Sequence, residues 1–232
     1  MKITTVLFDL DGTLLPMVQD VFVKAYFGGL CRVLAPKGHD PEAIVKAIWA
    51  GTAAMVKNDG SCLNEVRFWQ KFNELLGECD DETFDAYYKK EFDKVSAACG
   101  YTPRAKEIIE LVRLRGLTPV LATNPIFPPV ATRKRIRWAG LDESDFKYVT
   151  NYQNSSFCKP NPEYYTEIIE KLGLCPEECV MVGNDTAEDT AATALGIPVF
   201  ILTDCIINKN GFDLEGIPHG GFDELEAFIN SL

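Results

Sequence analysis

The stretch Ile3-Thr4-Thr5-Val6-Leu7-Phe8-Asp9-Leu10-Asp11-Gly12-Thr13 decides the fold. Its first six residues form a short apolar and β-branched run, the pattern of a strand buried on both faces in a parallel sheet. The run stops on a carboxylate. Asp-x-Asp-Gly is by itself a turn sequence, with Asx hydrogen bonds and a glycine suited to positive φ. A turn does not explain why Asp9 abuts the buried run, where an unneutralised carboxylate is costly. Two aspartates at that point require a cation.

Four further segments repeat the strand pattern, at residues 118–122, 148–150, 179–182 and 199–202, each bounded by turn residues. Helical periodicity separates most of them. Over 105–115, Ile108, Ile109, Leu111 and Val112 share a face and Gly116 stops the helix. Asn161 as N-cap with Pro162 in the first turn opens a helix that ends near Gly173, and a third helix is expected over 186–195, ending at Gly196. This alternation predicts an α/β fold with a doubly wound, parallel, Rossmann-like sheet and right-handed crossovers. The interval between the first two strands is too long for one crossover. Within it, residues 17–98 show helical periodicity over 21–34, 41–56, 63–76 and 81–95, with a loop at Lys57-Asn58-Asp59-Gly60-Ser61. They read as a small all-helical cap domain, leaving residues 1–16 and 99–232 as the α/β core.

A chain of 232 residues suffices for one sizeable core and a smaller satellite. Its formal charge of −11 repels nucleic-acid phosphates and anionic lipid, so neither nucleic acid nor membrane is expected as a partner. No apolar stretch approaches the roughly 18 residues of a membrane span. The N-terminus has one early lysine but neither an apolar h-region nor a small-residue cleavage site, so a cytoplasmic location is expected. The cysteines, at 31, 62, 79, 99, 158, 175, 179 and 205, include no CxxC pair and are expected to be reduced thiols. His39 and His219 are the only histidines, and neither has a serine or cysteine nucleophile in a convincing context. No feature sets the oligomeric state.

In open parallel sheets ligands bind outside the carboxyl ends of the strands. There the sequence places Asp9-Leu10-Asp11-Gly12-Thr13, then Thr123-Asn124, then Gly183-Asn184-Asp185 followed by Glu188 and Asp189, with Lys159 in the loop after 148–150. Asp185 adds a third carboxylate, and all-oxygen ligation by few carboxylates suits magnesium. Each position also has a plainer reading. Thr123 fits a β-branched strand end, Lys159 a solvated lysine, and Asp189 the favoured acid at a helix N-terminus. The metal ligand is read as Asp185 with Asn184 helping, because an anion balances charge better than an amide. The reverse assignment also fits.

These segments, with Leu121-Ala122 before Thr123 and Pro160 after Lys159, resemble in kind and order the four motifs of the haloacid dehalogenase superfamily. The resemblance covers about residues 1–16 and 99–205, and the 17–98 insert is similar in position to the family's helical cap. It implies that Asp9 attacks phosphorus to form an aspartyl-phosphate, and that Asp11 acts as general acid and then general base. It also implies Mg2+ on the Asp9 carboxylate, the Asp11 carbonyl and Asp185. Phosphate would be bound by Thr123, Lys159 and backbone N–H groups at Leu10, Asp11 and Asn124. Asn184 and Asp189 would support the metal and lysine through hydrogen bonds. One departure is that Asn184 intervenes where the common motif has the acid directly after glycine. Family dehalogenases lack an aspartate at the place of Asp11, so the resemblance implies hydrolysis of a small phosphorylated metabolite. A sugar-phosphate mutase is the nearest enzymatic alternative, and a catalytically idle phosphate-binding module the non-enzymatic one. Specificity is expected from the 57–61 loop, with Lys57 on an anion and Asn58 hydrogen-bonding. Tyr26, Phe27 and Trp49 are read chiefly as packing.

Overall fold

The protein was analysed as a computed structural model, which describes residues 2–77 and 81–232. After β1 (Thr5–Phe8) the chain forms α1 (Gln19–Leu34), α2 (Pro41–Val56), α3 (Asn64–Leu76) and α4 (Asp81–Ala86). The last continues as a π-helical turn, Tyr87–Glu91, and a 3₁₀ segment, Phe92–Ala98. Then follow α5 (Arg104–Leu114), β2 (Thr118–Leu121), α6 (Pro129–Trp138), α7 (Pro162–Leu172) and β3 (Cys179–Gly183). A 3₁₀ helix Thr190–Leu195, β4 (Val199–Leu202), β5 (His219–Gly220) and α8 (Phe222–Ser231) complete it.

The sheet is parallel throughout, in the order β2-β1-β3-β4-β5. Every residue of β1 is buried, and alternate side chains feed two layers. Val6 and Phe8 pack with Ile108 and Ile109 of α5 and Leu225 and Ile229 of α8. Leu7 packs on the opposite face with Tyr164 and Ile168 of α7. A sheet covered on both faces is the doubly wound arrangement its unbroken apolar strands require. A third cluster joins α1, α2 and α3 to Phe92 and Val95, and continues into Phe127, Ala131 and Tyr152 beyond β2. The chain enters and leaves this insert side by side: Met17 bridges Cys99, and the Gly100 N–H donates to the Pro16 carbonyl at 2.7 Å.

Two expectations are corrected. Residues 148–150 make only one parallel bridge to β2, Val149 to Leu121, in which the Leu121 N–H donates to the Tyr148 carbonyl at 2.9 Å and the Thr150 N–H to the Leu121 carbonyl at 3.1 Å; the outward Val149 carbonyl accepts from Asn154 Nδ2 at 2.9 Å. The fifth strand is instead β5, at the far edge. The helix expected over 186–195 is a turn followed by 3₁₀ structure. Asp185 Oδ1 accepts the N–H groups of Ala187 and Glu188 in the manner of an N-cap, and the Asp189 N–H donates to the Asp185 carbonyl at 2.9 Å before the chain tightens into 3₁₀ structure at Thr190. The seven described cysteines are free, and Cys79 lies outside the described residues. Among the described residues no helix is long and apolar enough to cross a membrane.

Candidate active site

β1 carries Asp9 to the carboxyl edge of the sheet at the junction with β3, the switch point of this strand order. The Asp9 N–H is still held by the Val182 carbonyl at 2.9 Å, so the ladder itself aims the side chain. Asp9 Oδ1 accepts from Lys159 Nζ at 2.9 Å, and Oδ2 from Thr13 Oγ1 at 3.3 Å. Lys159 Nζ also donates to Asp189 Oδ1 at 2.7 Å, and Asp189 Oδ2 accepts the Asp185 N–H at 2.9 Å. One buried lysine thereby ties the end of β1 to the end of β3. Burial raises the Asp9 carboxyl to about 7 despite Lys159, with Asp189 and Asp11 adding to the rise. Burial alone would depress Lys159, but Asp189 and Asp9 more than offset it and hold its pKa well above the ordinary lysine value.

Two glycines allow the close approach. Gly12 sits at φ +85° in the turn after Asp11, and a Cβ there would collide with the Asn184 amide. A Cβ on Gly183 would collide with the Asp189 carboxylate. Asn184 is fixed in turn, accepting from Thr13 Oγ1 at 3.1 Å and donating to the Cys205 carbonyl at 2.7 Å.

Asp11 meets a residue that sequence reading missed. Arg135 of α6, whose side chain is fully buried, pairs through Nη1 with Asp11 Oδ2 and lies 4.3 Å from the centre of the Phe127 ring. Asp11 Oδ1 is buried without a protein partner. Burial raises the Asp11 carboxyl, against the opposing pull of Arg135 and Lys159. The signal for Arg135 was positional. Ala131, Thr132, Arg135, Ile136 and Ala139 are the buried positions along α6, so residue 135 occupies the inward face of an otherwise basic helix.

Asp9, Asp11, Thr123, Asn124, Asn184 and Asp185 converge on one cavity of about 90 Å³, with Lys159 and Asp189 bonded directly behind it. Glu188 also lines it and bonds Asn124 Nδ2 at 2.9 Å; burial raises its carboxyl to about 8. The Thr123 carbonyl is held by Tyr164 Oη at 2.8 Å and Thr150 Oγ1 at 2.6 Å, so both tyrosine and threonine buttress the β2 end. Leu10 contributes only backbone, its side chain lying in the core. The N–H groups of Leu10, Asp11 and Asn124 donate to no backbone acceptor among the described residues. Residues 57–61 do not line this cavity. Asn58 is buried in a bond network with Cys62, Asn64 and Arg67, and Gly60 lies against Phe157, so the expected specificity loop is structural. Tyr26, Phe27 and Trp49, read as packing, line a second cavity beside Asp11.

The cavity's donors fit a hard cation. Four carboxylates and no basic side chain line it among the described residues, every donor is oxygen or amide, and burial holds two of the carboxyls near neutral pKa values against the pull of Lys159. Among the described residues no three His, Cys, Asp or Glu side chains are already gathered into a metal cluster. A site of two carboxylates completed by a backbone carbonyl requires no such cluster.

A parallel sheet with paired aspartates at its first strand end and a lysine bridging to its third defines a hydrolase class, and the chain belongs to it: the haloacid dehalogenase-like hydrolases, whose family model matches residues 3–203. Among individual proteins, the chain is similar to the phosphoglycolate phosphatase of Xylella fastidiosa, 26% identical over 85% of this chain and 79% of that protein. It is likewise similar to the phosphoglycolate phosphatase of Vibrio vulnificus, 27% identical over 87% and 84%. Its fold matches the crystal structure of a HAD phosphatase from Thermococcus onnurineus at a TM-score of 0.61, with 20% identity and 98% of each chain covered. It also matches a putative beta-phosphoglucomutase from Thermotoga maritima at 0.60, with 22% identity over 99% and 100%.

Proposed function

We propose that the chain is a magnesium-dependent phosphatase of a small phosphorylated metabolite, with Asp9 as nucleophile and Asp11 as general acid and base. The observation that carries this is the carboxylate pair after β1: Asp9 anchored by Lys159, and Asp11 with Oδ2 occupied by Arg135 and Oδ1 free. Asp9 attacks phosphorus, the ester P–O bond breaks, and Asp11 Oδ1 gives its proton to the departing oxygen. The raised pKa of Asp11 supports that protonated start. Asp11 then takes a proton from a water whose oxygen attacks the aspartyl-phosphate, and the bond to Asp9 opens to release phosphate. Thr123, the N–H groups of Leu10, Asp11 and Asn124, and Lys159 would take up charge on the phosphoryl oxygens. The Asp9 and Asp185 carboxylates and the Asp11 carbonyl would hold Mg2+, which when bound supplies charge neutralisation at the phosphoryl group. Asn184 and Asp189 position Thr13 and Lys159. Residues 17–98 act as the cap over this site.

The names of the similar phosphoglycolate phosphatases support ester hydrolysis. The test is phosphate release from p-nitrophenyl phosphate in Mg2+ and in EDTA. Turnover is expected only with Mg2+, lost in Asp9→Asn and reduced by about 10²–10⁴ in Asp11→Asn. Undiminished turnover by Asp9→Asn sinks the assignment.

A further inference from the structure

The second cavity, of about 140 Å³, adjoins the polar one and shares Asp11, Met17, Gln19 and Ile126 with it. Its character is different. Phe22 and Phe27 of α1, Trp49 of α2, Phe68 of α3 and Phe127 after β2 give it an aromatic wall. Apart from Asp11 its polar side chains are neutral: Gln19, Thr52 and the hydroxyls of Tyr26, Tyr88 and Tyr152. The Tyr26 and Tyr88 hydroxyls lie 2.7 Å apart and share one hydrogen bond, in which only one of them is the donor. The other keeps its proton for a guest. Among the described lining residues Asp11 is the only Asp or Glu, and none is lysine, arginine or histidine. Arg135 lies outside the lining, paired with Asp11 and stacked on the Phe127 ring, with its Nε buried and unbonded.

Asp11 stands on the boundary between the two cavities, so the group leaving the phosphate would project into the aromatic one. We propose that the substrate's leaving group is an uncharged, largely apolar alcohol about the size of one aromatic ring, carrying at most a neutral hydrogen-bond acceptor. This rests on the phosphatase reading above. An apolar cavity of about 150 Å³ accepts a benzene molecule, so the volume suits one ring. A leaving group bearing a carboxylate, such as glycolate, would be desolvated beside Asp11 with no cation to meet it. A polyhydroxylated sugar would leave several hydroxyls unpaired against aromatic walls.

The test compares kcat/KM in Mg2+ for benzyl phosphate, ethyl phosphate and phosphoglycolate, whose leaving alkoxides are similarly basic. Benzyl phosphate is expected to exceed ethyl phosphate by about tenfold or more, the order for burying one ring, with phosphoglycolate below both. Phosphoglycolate equal to or above benzyl phosphate overturns the proposal. Isothermal titration with benzylphosphonate and phosphonoacetate asks the same without turnover, and benzylphosphonate should bind about tenfold tighter. Equal or reversed affinities overturn the proposal too. Acetyl phosphate, whose leaving group is too small to need the cavity, reports the phosphatase reading separately. If it and all the esters are inert, that reading falls and the titration alone decides the cavity. Ile48→Phe, which fills the cavity, should bring the benzyl-to-ethyl ratio towards one, and an unchanged ratio counts against the assignment.

Discussion

Arg135 shows what a single residue's neighbours can hide. It lies among Arg133, Lys134 and Arg137, a run that reads as a solvated basic helix, yet its side chain is fully buried and pairs with Asp11. Asp9 and Asp11 were legible because they close a buried apolar run, whereas Thr123 and Lys159 stood out only through their order among the four motifs. Arg135 lies in mid-helix, where only the inward spacing with Ala131, Thr132 and Ile136 marks it. Replacing it with methionine keeps the bulk but leaves Asp11 Oδ2 unpaired in a largely buried site. Arg135→Met is expected to lower kcat on the order of tenfold with little change in KM, measured on p-nitrophenyl phosphate. An unaltered kcat would remove Arg135 from the machinery. Gly183 belongs to the same scale. Gly183→Ala drives a methyl into the Asp189 carboxylate and strains the Asp189–Lys159–Asp9 chain, so a loss of about 1–3 kcal/mol in urea unfolding is expected. A variant as stable as the parent would show that Asp189 can move aside.

At the scale of elements, the strands β1, β2, β3 and β4 were legible because both-face burial demands continuous apolar runs, and the sheet then fixes which ends face the site. Less was legible beyond the central strands: the 148–150 segment is reduced to one bridge, Val149 to Leu121, and the helix expected over 186–195 is 3₁₀ from Thr190. β5, at two residues, carries no periodicity to read. The insert's helices were legible from spacing alone: α2 spans the expected 41–56, while the expected 81–95 segment is helical but changes from α to π to 3₁₀. Phe68-Trp69 with Phe72, at helical spacing, reads as core of the insert, and the structure joins these rings with Phe84. Phe72 of α3 is fully buried and meets Phe68 at 5.6 Å, Trp69 at 5.5 Å and Phe84 at 5.2 Å between ring centres. Phe72→Ala should therefore cost about 3–5 kcal/mol, read as a fall in unfolding midpoint. A cost below about 1 kcal/mol would mean that the insert collapses freely around the gap.

At the scale of the whole molecule, the formal charge of −11 makes the concentration of carboxylates at one sheet edge an electrostatic load on the fold. Burial holds Asp9 near 7 and Glu188 near 8, and raises Asp11, so in the metal-free protein these groups bind protons more tightly folded than unfolded. The sign of the linkage follows. Unfolded carboxyls ionise at about 4, so between pH 4 and pH 8 the folded state holds the extra protons, and stability falls as pH rises. The site's cost is absent below the unfolded pKa and complete above the folded ones. Mg2+ held as proposed would require the ionised carboxylates and so act in the opposite sense, strongest where the cost is greatest. Thermal unfolding at pH 5.5 and pH 8 should accordingly show a small Mg2+ stabilisation at the lower pH and a clearly larger one at the higher. Asp9→Asn, which removes one titrating ligand, should narrow the difference between them. Equal Mg2+ shifts at both pH values would mean that the cation binds elsewhere, and that the carboxylates at the end of β1 are neutralised by the protein alone.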